Sequence, residues 1–424
     1  MICQLPYGLA SVQMEISSSD ELLTLVPDYP RELPSPVDAV LHSLNFPIGS
    51  PSLRSLVAEI HPREAVIIVN DITRHTPYDL MLPPLLEILD DCGLRKEQIV
   101  FMVATGAHRA HTEEQNRAVL GDEVVDRHEV LSHDADSSLR RVGRLSSGNV
   151  LYVNERVSRS DLVVATGVIG PHYFAGFSGG RKSILPGVAG RHTIEANHSL
   201  AIEVLETGTV CNMNVNKVHL EMQEAARLVD LKFILNVVLS SKDRIVRVVA
   251  GDPVQAWEHG VQLCRQIHDV PVGQRADLTL VSAGGFPRDM NFYQAQKALH
   301  YAEKATEDGG SIILVAQCSE GLGNPEFEAC MKAAQTPDEV IRNARSRFVL
   351  GSHKAYAVAK TVKRNQVTLV SDLSETDTRC LFMRKEQDLE SALESVRRDQ
   401  REIRRMIVMP DGSRTRPHLC LTSV

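Results

Sequence analysis

The residues from Gly170 to Gly187, which read GPHYFAGFSGGRKSILPG, contain side chains that could bind an anion and exchange protons. We call this segment the glycine loop. It follows the apolar run 162–166, which is typical of a buried strand. Its five glycines and two prolines exclude the interior of a helix or strand. We therefore expect a long, specifically shaped loop at a strand end, with Phe174 and Phe177 buried because aromatic rings favour burial.

Several members of the glycine loop suit a phosphate or another anion. Glycine lets the backbone approach a ligand closely, and consecutive backbone amides can hold an anion. The four consecutive residues predicted to do so are Ser178, Gly179, Gly180 and Arg181. Lys182 adds a nucleophilic amine and His172 a titratable imidazole. The alternative is a glycine-rich turn with surface charges, since short motifs also occur without function.

A second set of polar side chains follows the apolar run 65–69. There Asp71, Thr73 and Arg74 place an acid, a hydroxyl and a guanidinium within four residues. The planar guanidinium of Arg74 matches the two oxygens of a carboxylate or a phosphate. The alternative is that Asp71 caps a helix and Arg74 is a surface charge.

The tripeptide Ala-Thr-Gly occurs at 104–106 and again at 165–167, and a histidine follows each copy, His108 and His172. Two histidines at equivalent strand ends predict a facing acid–base pair. The alternative for each is a polar core residue or a surface group.

Two further histidines open the next predicted helix and raise the question of a metal site. His192 and His198 are six residues apart, about 240° around a helix, so they cannot ligate one metal together. Glu195 and His198 lie on one face and could do so. His198 could also bind a metal whose other ligands are not protein groups.

Tyr293, Gln294 and Lys297 begin another predicted helix, after a loop that contains Gly284 and Gly285. Lys297 is one turn from Tyr293 and could face a substrate anion. The alternative is an ordinary solvated lysine.

These polar segments follow strands that alternate with helices along the chain. After small strands and turns in the first 35 residues, the apolar runs predict strands at 65–69, 99–103, 162–165, 233–239, 278–281, 311–316 and 367–370. Helices are predicted at 37–44, 79–91, 112–120, 189–206, 217–227, 252–268 and 291–307. The alternation predicts an α/β fold of two domains with mainly parallel sheets flanked by helices, whose ligands bind at the carboxyl ends of strands. A break at 271–275 divides the chain into domains 1–272 and 273–424.

The composition excludes several classes of protein. The 424 residues are 43% hydrophobic, which is typical of a globular chain, and the net charge of -8 disfavours nucleic acid as a partner. No apolar run approaches the ~20 residues of a membrane span, and the first residues do not read as a signal peptide. The eight cysteines are scattered, so we expect reduced thiols in a cytoplasmic protein.

Taken in order, these motifs resemble the nickel-dependent lactate racemase family over roughly residues 60–320. The matching motifs are Asp71-x-Thr73-Arg74, Thr105-Gly106-x-His108-Arg109, Gly170-Pro171-His172, Gly179-Gly180-Arg181-Lys182, His198 and Tyr293-Gln294-x-x-Lys297. One such motif is weakly specific, whereas the whole set in one order is highly specific.

The resemblance implies an active site in the cleft between the two domains. The N-terminal domain would bind the cofactor and carry out catalysis, and the C-terminal domain would close over the substrate. The cofactor would be a nickel-pincer nucleotide, a pyridinium-3,5-bisthiocarboxylate mononucleotide that holds nickel. By resemblance it is attached covalently to Lys182, and His198 is the nickel ligand. Its other binding residues would be Asp71, Thr73, Ser178, Gly179 and Gly180.

The resemblance also implies the reaction, a racemisation or epimerisation at C2 of a 2-hydroxy acid by reversible hydride transfer to the cofactor. His108 and His172 would exchange the hydroxyl proton on the two sides of the substrate. The substrate-binding residues would be Arg74, Tyr293, Gln294 and Lys297. The implied partners are a small anionic 2-hydroxy acid and the enzymes that make and load the cofactor.

The substrate and two other functions stay open at this point. The family acts on lactate, malate, 2-hydroxyglutarate, aromatic 2-hydroxy acids and sugar acids. The lactate enzymes of the family have a tryptophan in the C-terminal domain, whereas the only tryptophan here is Trp257, in the N-terminal domain. One alternative function is a non-catalytic binder of a phosphorylated or carboxylated ligand on the same fold. The other is a nicotinamide dehydrogenase, which the absence of a G-x-G-x-x-G turn disfavours.

Overall fold

The computed structural model describes residues 2–16, 21–399 and 403–420, and the chain forms two compact units. One, the 29–266 unit, is continuous in sequence. The other, the terminal unit, combines residues 1–28 with 267–424, of which 1, 17–20, 400–402 and 421–424 lie outside the described residues. The division after residue 266 lies close to the predicted boundary near 272. The first 28 residues differ from the prediction, because they belong to the unit formed by the C-terminal part.

The strands within the described ranges are, in chain order, β1 (Ile2–Tyr7), β2 (Ala10–Glu15), β3 (Glu21–Thr24), β4 (Ala65–Asn70), β5 (Ile99–Ala104), β6 (Glu129–Ser132), β7 (Leu139–Arg144), β8 (Val150–Asn154), β9 (Leu162–Val168), β10 (Pro171–His172), β11 (Gly176–Phe177), β12 (Phe233–Leu239), β13 (Ile245–Gly251), β14 (Asp269–Val272), β15 (Ala276–Ser282), β16 (Thr306–Val315), β17 (Gln366–Val370), β18 (Arg384–Glu386), β19 (Arg405–Met409) and β20 (Arg416–Leu419).

The α-helices of the same ranges are α1 (Pro36–Asn45), α2 (Leu53–Ile60), α3 (Tyr78–Asp91), α4 (Glu113–Leu120), α5 (Asp122–Arg127), α6 (Glu155–Arg159), α7 (Arg191–Thr207), α8 (Lys217–Leu228), α9 (Gln255–His268), α10 (Phe292–Ala305), α11 (Pro325–Lys332), α12 (Pro337–Ser346), α13 (Ser352–Arg364), α14 (Glu375–Cys380) and α15 (Leu389–Asp399). Short 3₁₀ helices occur at Lys96–Gln98, Gly180–Ser183 and Thr209–Cys211.

A six-stranded sheet forms the centre of the 29–266 unit, in the order β13-β12-β9-β4-β5-β6. Its neighbouring strands are parallel except for the antiparallel pair β12 and β13. β4, β5 and β12 are almost continuously apolar and buried along their length, as expected for parallel strands covered on both faces. The carboxyl ends of β4, β5, β9 and β12 therefore meet at one edge of this sheet, where the polar segments follow.

The terminal unit is built on a second six-stranded sheet in the order β18-β17-β16-β15-β19-β3, with every neighbouring pair parallel. β3 explains why the first 28 residues belong here, because it pairs with β19 from the far end of the chain. The pairing continues beyond β3, where the Leu25 amide donates to the Val408 carbonyl at 2.8 Å. No sequence pattern predicts this pairing, which joins residues almost 400 positions apart.

The predicted fold class is confirmed, and all seven predicted strands and all seven predicted helices are present. α10 ends two residues earlier than predicted because β16 begins at Thr306, whose hydroxyl donates to the Ala302 carbonyl at 2.8 Å. The prediction omitted several further elements. These are β6 to β8, β10, β11, β13, β14, β18 to β20, α2, α5, α6 and the helices after residue 320. β7, which reads LRRVGR, is largely polar, so its strand conformation depends on pairing with β8.

Two predictions from composition can be compared with the structure. None of the eight cysteines forms a disulfide. In the part of the chain that the structure describes, every helix is too short or too polar to cross a membrane.

The buried histidine at the end of α9 predicts a loss of stability in acid. The Nδ1–H of His268 donates to the Arg414 carbonyl at 2.8 Å, and burial lowers the pKa of His268 to about 3. Because the unfolded histidine titrates near 6.5, the unfolded chain binds more protons below that pH, and stability falls as the pH drops from 6.5 towards 3. This histidine alone contributes about 2 kcal/mol of that loss by pH 5.

The free energy of unfolding of wild type and His268→Asn is measured in urea between about pH 4 and 8, a range that spans the unperturbed histidine pKa of about 6.5. The variant keeps a side-chain N–H donor and is expected to show a smaller decline. His192→Asn is the matched control, because the side chain of His192 is 96% exposed. Equal declines in wild type and His268→Asn would contradict the prediction.

Candidate active site

The glycine loop leaves β9 and folds back on itself at once. β10 pairs with β11, so His172 lies opposite Gly176, and a 3₁₀ helix follows at Gly180–Ser183. The predicted burial of Phe174 and Phe177 is confirmed, at 3% and 0% exposure. The loop is therefore a folded and mostly buried segment rather than a solvated turn.

Arg181 is buried beneath the glycine loop and binds the backbone of the loop itself. Its Nη2 donates to the carbonyls of Ala175 and Phe177, both at 3.1 Å, and its Nη1 donates to the Gly179 carbonyl at 3.3 Å. Its Nε donates to Nδ1 of His219 at 2.8 Å. The side chain is thus directed into the protein, and the prediction that Arg181 binds a phosphate has no support in this geometry.

The indole of Trp257 covers the Arg181 guanidinium, whose central carbon lies 3.7 Å from the ring centroid. Nε1 of Trp257 donates to the Ser178 carbonyl at 2.9 Å, and His219 stacks on the indole with centroids 5.0 Å apart. Burial, and then the charge of Arg181, lower the pKa of His219 to about 3. The His219 ring is therefore neutral, and its Nδ1 can accept the Arg181 hydrogen bond.

The other predicted anion-binding members of the loop also have partners inside the protein. The Ser178 hydroxyl donates to the Val168 carbonyl at 2.8 Å and accepts from the Gly170 amide at 2.9 Å. The Gly180 amide donates to Oδ1 of Asn236 at 2.9 Å. The structure therefore does not place these groups in a row of ligand-facing donors, and their contact with a cofactor stays a prediction.

Sequence reasoning missed the role of Asn236, which is completely buried in the otherwise apolar β12. An amide in the middle of the run FILNVVL was the available signal, because a buried polar group needs a hydrogen-bond partner. Here the partner is the glycine loop.

Three predicted site residues surround the ring of Phe174. The ring of His172 lies edge-on at 4.5 Å between centroids, and the ring of His198 lies at 5.1 Å. The Lys182 amine lies 5.5 Å from the same centroid. Phe174 thus brings together the predicted acid–base imidazole, the predicted metal ligand and the predicted attachment amine.

His108 and Asp71 are hydrogen-bonded at the neighbouring strand ends. Nδ1 of His108 lies 2.7 Å from Oδ2 of Asp71, while the Thr73 hydroxyl donates to Oδ1 at 2.6 Å. Burial alone would raise the pKa of Asp71. The hydrogen bonds from His108 and Thr73, with the charges of His108 and Arg74, outweigh it and lower the pKa below its usual value. Asp71 is therefore ionised at neutral pH.

Hydrogen bonds fix these loops relative to each other and to the sheet. The Gly106 amide, in the loop that carries His108, donates to the Gly187 carbonyl of the glycine loop at 2.9 Å. The hydroxyl of Tyr78 accepts from the Asn70 amide at 2.6 Å, just before the Asp71 turn. The 29–266 unit thus positions both predicted acid–base histidines on connected backbone.

The predicted substrate-binding residues divide between the units. Arg74 lies exposed in the 29–266 unit. The others lie near the start of α10 in the terminal unit, Tyr293 and Gln294 on its first turn and Lys297 on its second. Lys297 donates to Oε1 of Gln294 at 2.7 Å. Sequence reasoning missed Lys354 of α13, whose buried amine donates to the Tyr293 carbonyl at 2.7 Å and lies 3.2 Å from its ring centroid.

The side chains at the start of α7 do not form a metal cluster. Glu195 pairs with the exposed His192 at 3.7 Å. Among the described residues, no group of three or more histidine, cysteine, aspartate or glutamate side chains could hold a metal ion. A metal at His198 would therefore need ligands from a bound cofactor or substrate.

Comparison with known proteins covers almost the whole chain. The model of the lactate racemase N-terminal domain matches residues 7–209, and that of the lactate racemase C-terminal domain matches residues 272–414. A lactate racemase of Lactiplantibacillus plantarum is 33% identical over 418 residues, which are 96% of this chain and 97% of that protein. One from Thermoanaerobacterium thermosaccharolyticum is 34% identical over 385 residues, 88% of this chain and 89% of that protein.

Two solved structures are similar to this chain over almost its whole length. The lactate racemase apoprotein from Thermoanaerobacterium thermosaccharolyticum superimposes with a TM-score of 0.91 at 31% identity, covering 99% of this chain and 100% of that one. A Thermotoga maritima protein superimposes with a TM-score of 0.67 at 17% identity over 92% of this chain and 100% of that one, and shares the fold alone.

The contacts of Arg181 predict that its removal destabilises the protein. Arg181→Met leaves three loop carbonyls and His219 without their donor, so the free energy of unfolding is expected to fall by at least about 3 kcal/mol. Arg117→Met is the matched control, because Arg117 pairs with three carboxylates but at the surface, where ion pairs contribute little. Urea unfolding and amide exchange of residues 175–179 are the measurements. Equal effects of the two substitutions would contradict the prediction.

The close contacts of Gly179 generate a second prediction. Gly179 has φ of +78°, and a Cβ there would lie 2.7 Å from Cγ1 of Ile169. Gly148 also has a positive φ, +92°, but a Cβ there would meet nothing within 4 Å. Gly179→Ala is therefore expected to lower the free energy of unfolding by at least about 1 kcal/mol more than Gly148→Ala, because only the first overpacks the core. A difference near zero in urea unfolding would show that the loop accommodates the methyl group.

Proposed function

The chain belongs to the lactate racemase family and is an isomerase, and we propose that it inverts the C2 centre of a small 2-hydroxy acid. The geometry of the 29–266 unit supports this most directly through the grouping of Lys182, His198 and His172 around the ring of Phe174. An amine, a ligating imidazole and an acid–base imidazole at one aromatic ring suit a cofactor that is both attached and metal-bearing.

The proposed cofactor is a nickel-pincer nucleotide, which Lys182 would carry covalently and His198 would ligate through nickel. The side chains fit such a group, because Lys182 and His198 lie at the same aromatic ring. Among the described residues, no group of three or more histidine, cysteine, aspartate or glutamate side chains could hold a metal without such a cofactor. Nickel held there would take its remaining ligands from the cofactor. When bound, the cofactor supplies an electron-poor ring that can accept and return the hydrogen of C2 as hydride.

The protein side chains would bind the substrate and move its hydroxyl proton. His108 and His172 are the proposed proton-exchanging groups, and Arg74 with Lys297 the proposed carboxylate ligands. Tyr293 completes the proposed substrate contacts together with Gln294. The glycine loop would exclude water, because its aromatic residues are almost completely buried.

To test this proposal, the protein is produced together with enzymes that synthesise and load the pincer nucleotide, and its cofactor content and activity are measured. Intact mass should show a covalent adduct, and elemental analysis should show nickel. Single enantiomers of lactate, malate, 2-hydroxyglutarate and aromatic and sugar 2-hydroxy acids would then be incubated with the protein and resolved by chiral chromatography. Racemisation or epimerisation of one acid is the expected result, and it identifies the substrate.

Two substitutions separate the roles of the cofactor-binding residues. Lys182→Arg keeps the positive charge but removes the primary amine, so the adduct should disappear. His198→Ala should retain the adduct and lose most of the nickel. Wild-type protein without an adduct, under conditions that load an established lactate racemase, would contradict the cofactor assignment. It would favour the non-catalytic binder.

A further inference from the structure

The two proposed proton-exchanging histidines are held by hydrogen bonds of opposite polarity. Nδ1 of His108 faces Oδ2 of Asp71 at 2.7 Å. Nδ1 of His172 faces the backbone N–H of Ala175 at 3.3 Å. A carboxylate can only accept a hydrogen bond and an amide N–H can only donate one, so each partner dictates which ring nitrogen carries the hydrogen.

The partner of His108 requires a hydrogen on Nδ1. Asp71 is 5% exposed, and its second oxygen accepts from Thr73 at 2.6 Å, so each oxygen of the ionised carboxylate accepts a hydrogen bond within the protein. In the neutral ring Nε2 then carries a lone pair. The side chain of His108 is 64% exposed, so that lone pair is accessible from outside the protein.

The partner of His172 requires the reverse arrangement. Nδ1 must hold a lone pair to accept from Ala175, so the hydrogen of the neutral ring lies on Nε2. The ring cannot take a second hydrogen at Nδ1 without losing this bond. It is held in place by Tyr173, whose ring is stacked at 5.5 Å, and by the edge-on ring of Phe174.

We propose that Asp71 and the Ala175 amide set His108 and His172 in opposite tautomers, so that in the resting protein only His108 is ready to act as a base. Asp71 is then a positioning residue for His108 rather than a cofactor ligand. The catalytic roles of the two histidines rest on the proposed function. Their tautomers depend only on hydrogen bonds within the protein and can be tested without cofactor or substrate.

The step assigned to His108 is a simple proton transfer. The O–H bond of the substrate breaks, its hydrogen forms a bond with Nε2, and the electron pair stays on the substrate oxygen. The ring becomes an imidazolium whose charge the Asp71 carboxylate stabilises, because Nδ1–H keeps its hydrogen bond throughout. In the reverse reaction, Nε2 of His108 returns the proton to the substrate oxygen.

His172 begins instead as a hydrogen-bond donor to the substrate oxygen through Nε2–H. It becomes a base only after water has delivered a proton to Nδ1 and taken one from Nε2, which breaks the contact with Ala175. That contact is long, at 3.3 Å, and therefore weak enough to exchange. The two sides of the proposed active site thus differ before any substrate binds.

The direct test is nitrogen-15 NMR of the histidine rings in protein without cofactor, at about pH 9, where ordinary imidazoles are neutral. The chain has 16 histidines, and spectra of His108→Gln and His172→Gln would identify the two signals. We expect His108 as the Nδ1–H form and His172 as the Nε2–H form. A hydrogen on Nε2 of His108, an average of both forms there, or a hydrogen on Nδ1 of His172 would overturn the proposal.

Two other histidines serve as internal controls. Nε2 of His111 accepts from the Ile72 amide at 3.0 Å, and its Nδ1 faces Asn116 at 3.1 Å, so it should be an Nδ1–H form independent of Asp71. His219 accepts from Arg181 at Nδ1 and should be an Nε2–H form. Asp71→Ala should convert only His108 to an average of both forms.

Kinetics of the loaded enzyme separate positioning from cofactor binding. Asp71→Ala is expected to retain the Lys182 adduct and to lower kcat at least about 100-fold, with KM changed less than about threefold. Asp71→Asn keeps an accepting oxygen without the charge, so it should keep the His108 tautomer and lose less activity. Loss of the adduct in Asp71→Ala and Asp71→Asn would show that Asp71 binds the cofactor instead. An absent adduct in wild type would contradict the proposed function and leave the NMR result to decide the tautomers.

Discussion

A positive charge buried beneath the glycine loop constrains the shape of the proposed active site. Removing a guanidinium from water costs several kcal/mol unless hydrogen bonds and nearby electron density replace its hydration. Hydrogen bonds from Arg181 to three loop carbonyls and to the neutral ring of His219 offset that cost, together with the cation–π contact to Trp257. Because the carbonyls belong to residues 175–179, these bonds fix the backbone immediately after His172 and Phe174. The arginine that resembles an anion ligand in sequence is thus the internal support of the loop.

Parallel strands explain why the predicted site residues of the 29–266 unit converge although they are far apart in sequence. β4, β5 and β9 end at one edge of the same sheet, and they deliver Asp71, His108 and the glycine loop to that edge. The bond from Gly106 to Gly187 then joins two of the three segments directly. Glycine is required at these turns, where the backbone adopts positive φ or approaches a neighbour too closely for a Cβ.

Similar residues at similar strand ends do not have the same hydrogen-bond partners. His108 and His172 both follow an Ala-Thr-Gly tripeptide, yet one bonds a carboxylate and the other a backbone amide. A racemase must handle both enantiomers, and its two proton-exchanging groups need not start in the same tautomer. The partners that distinguish the two histidines, Asp71 and the Ala175 amide, lie outside the shared tripeptide.

The sequence by itself determined the α/β class, seven of the strands, seven of the helices and the strand ends at which the polar motifs lie. These features could be predicted because apolar periodicity and glycine placement are local properties of the sequence. Only the tertiary structure decided what those residues contact. It pairs β3 with β19, directs the Arg181 side chain into the protein and places the Asp71 carboxylate within hydrogen-bond distance of His108. A sequence pattern indicates that a side chain is polar or charged. Its partners depend on which strands become neighbours and on which buried groups still need a hydrogen bond, and these are properties of the whole fold.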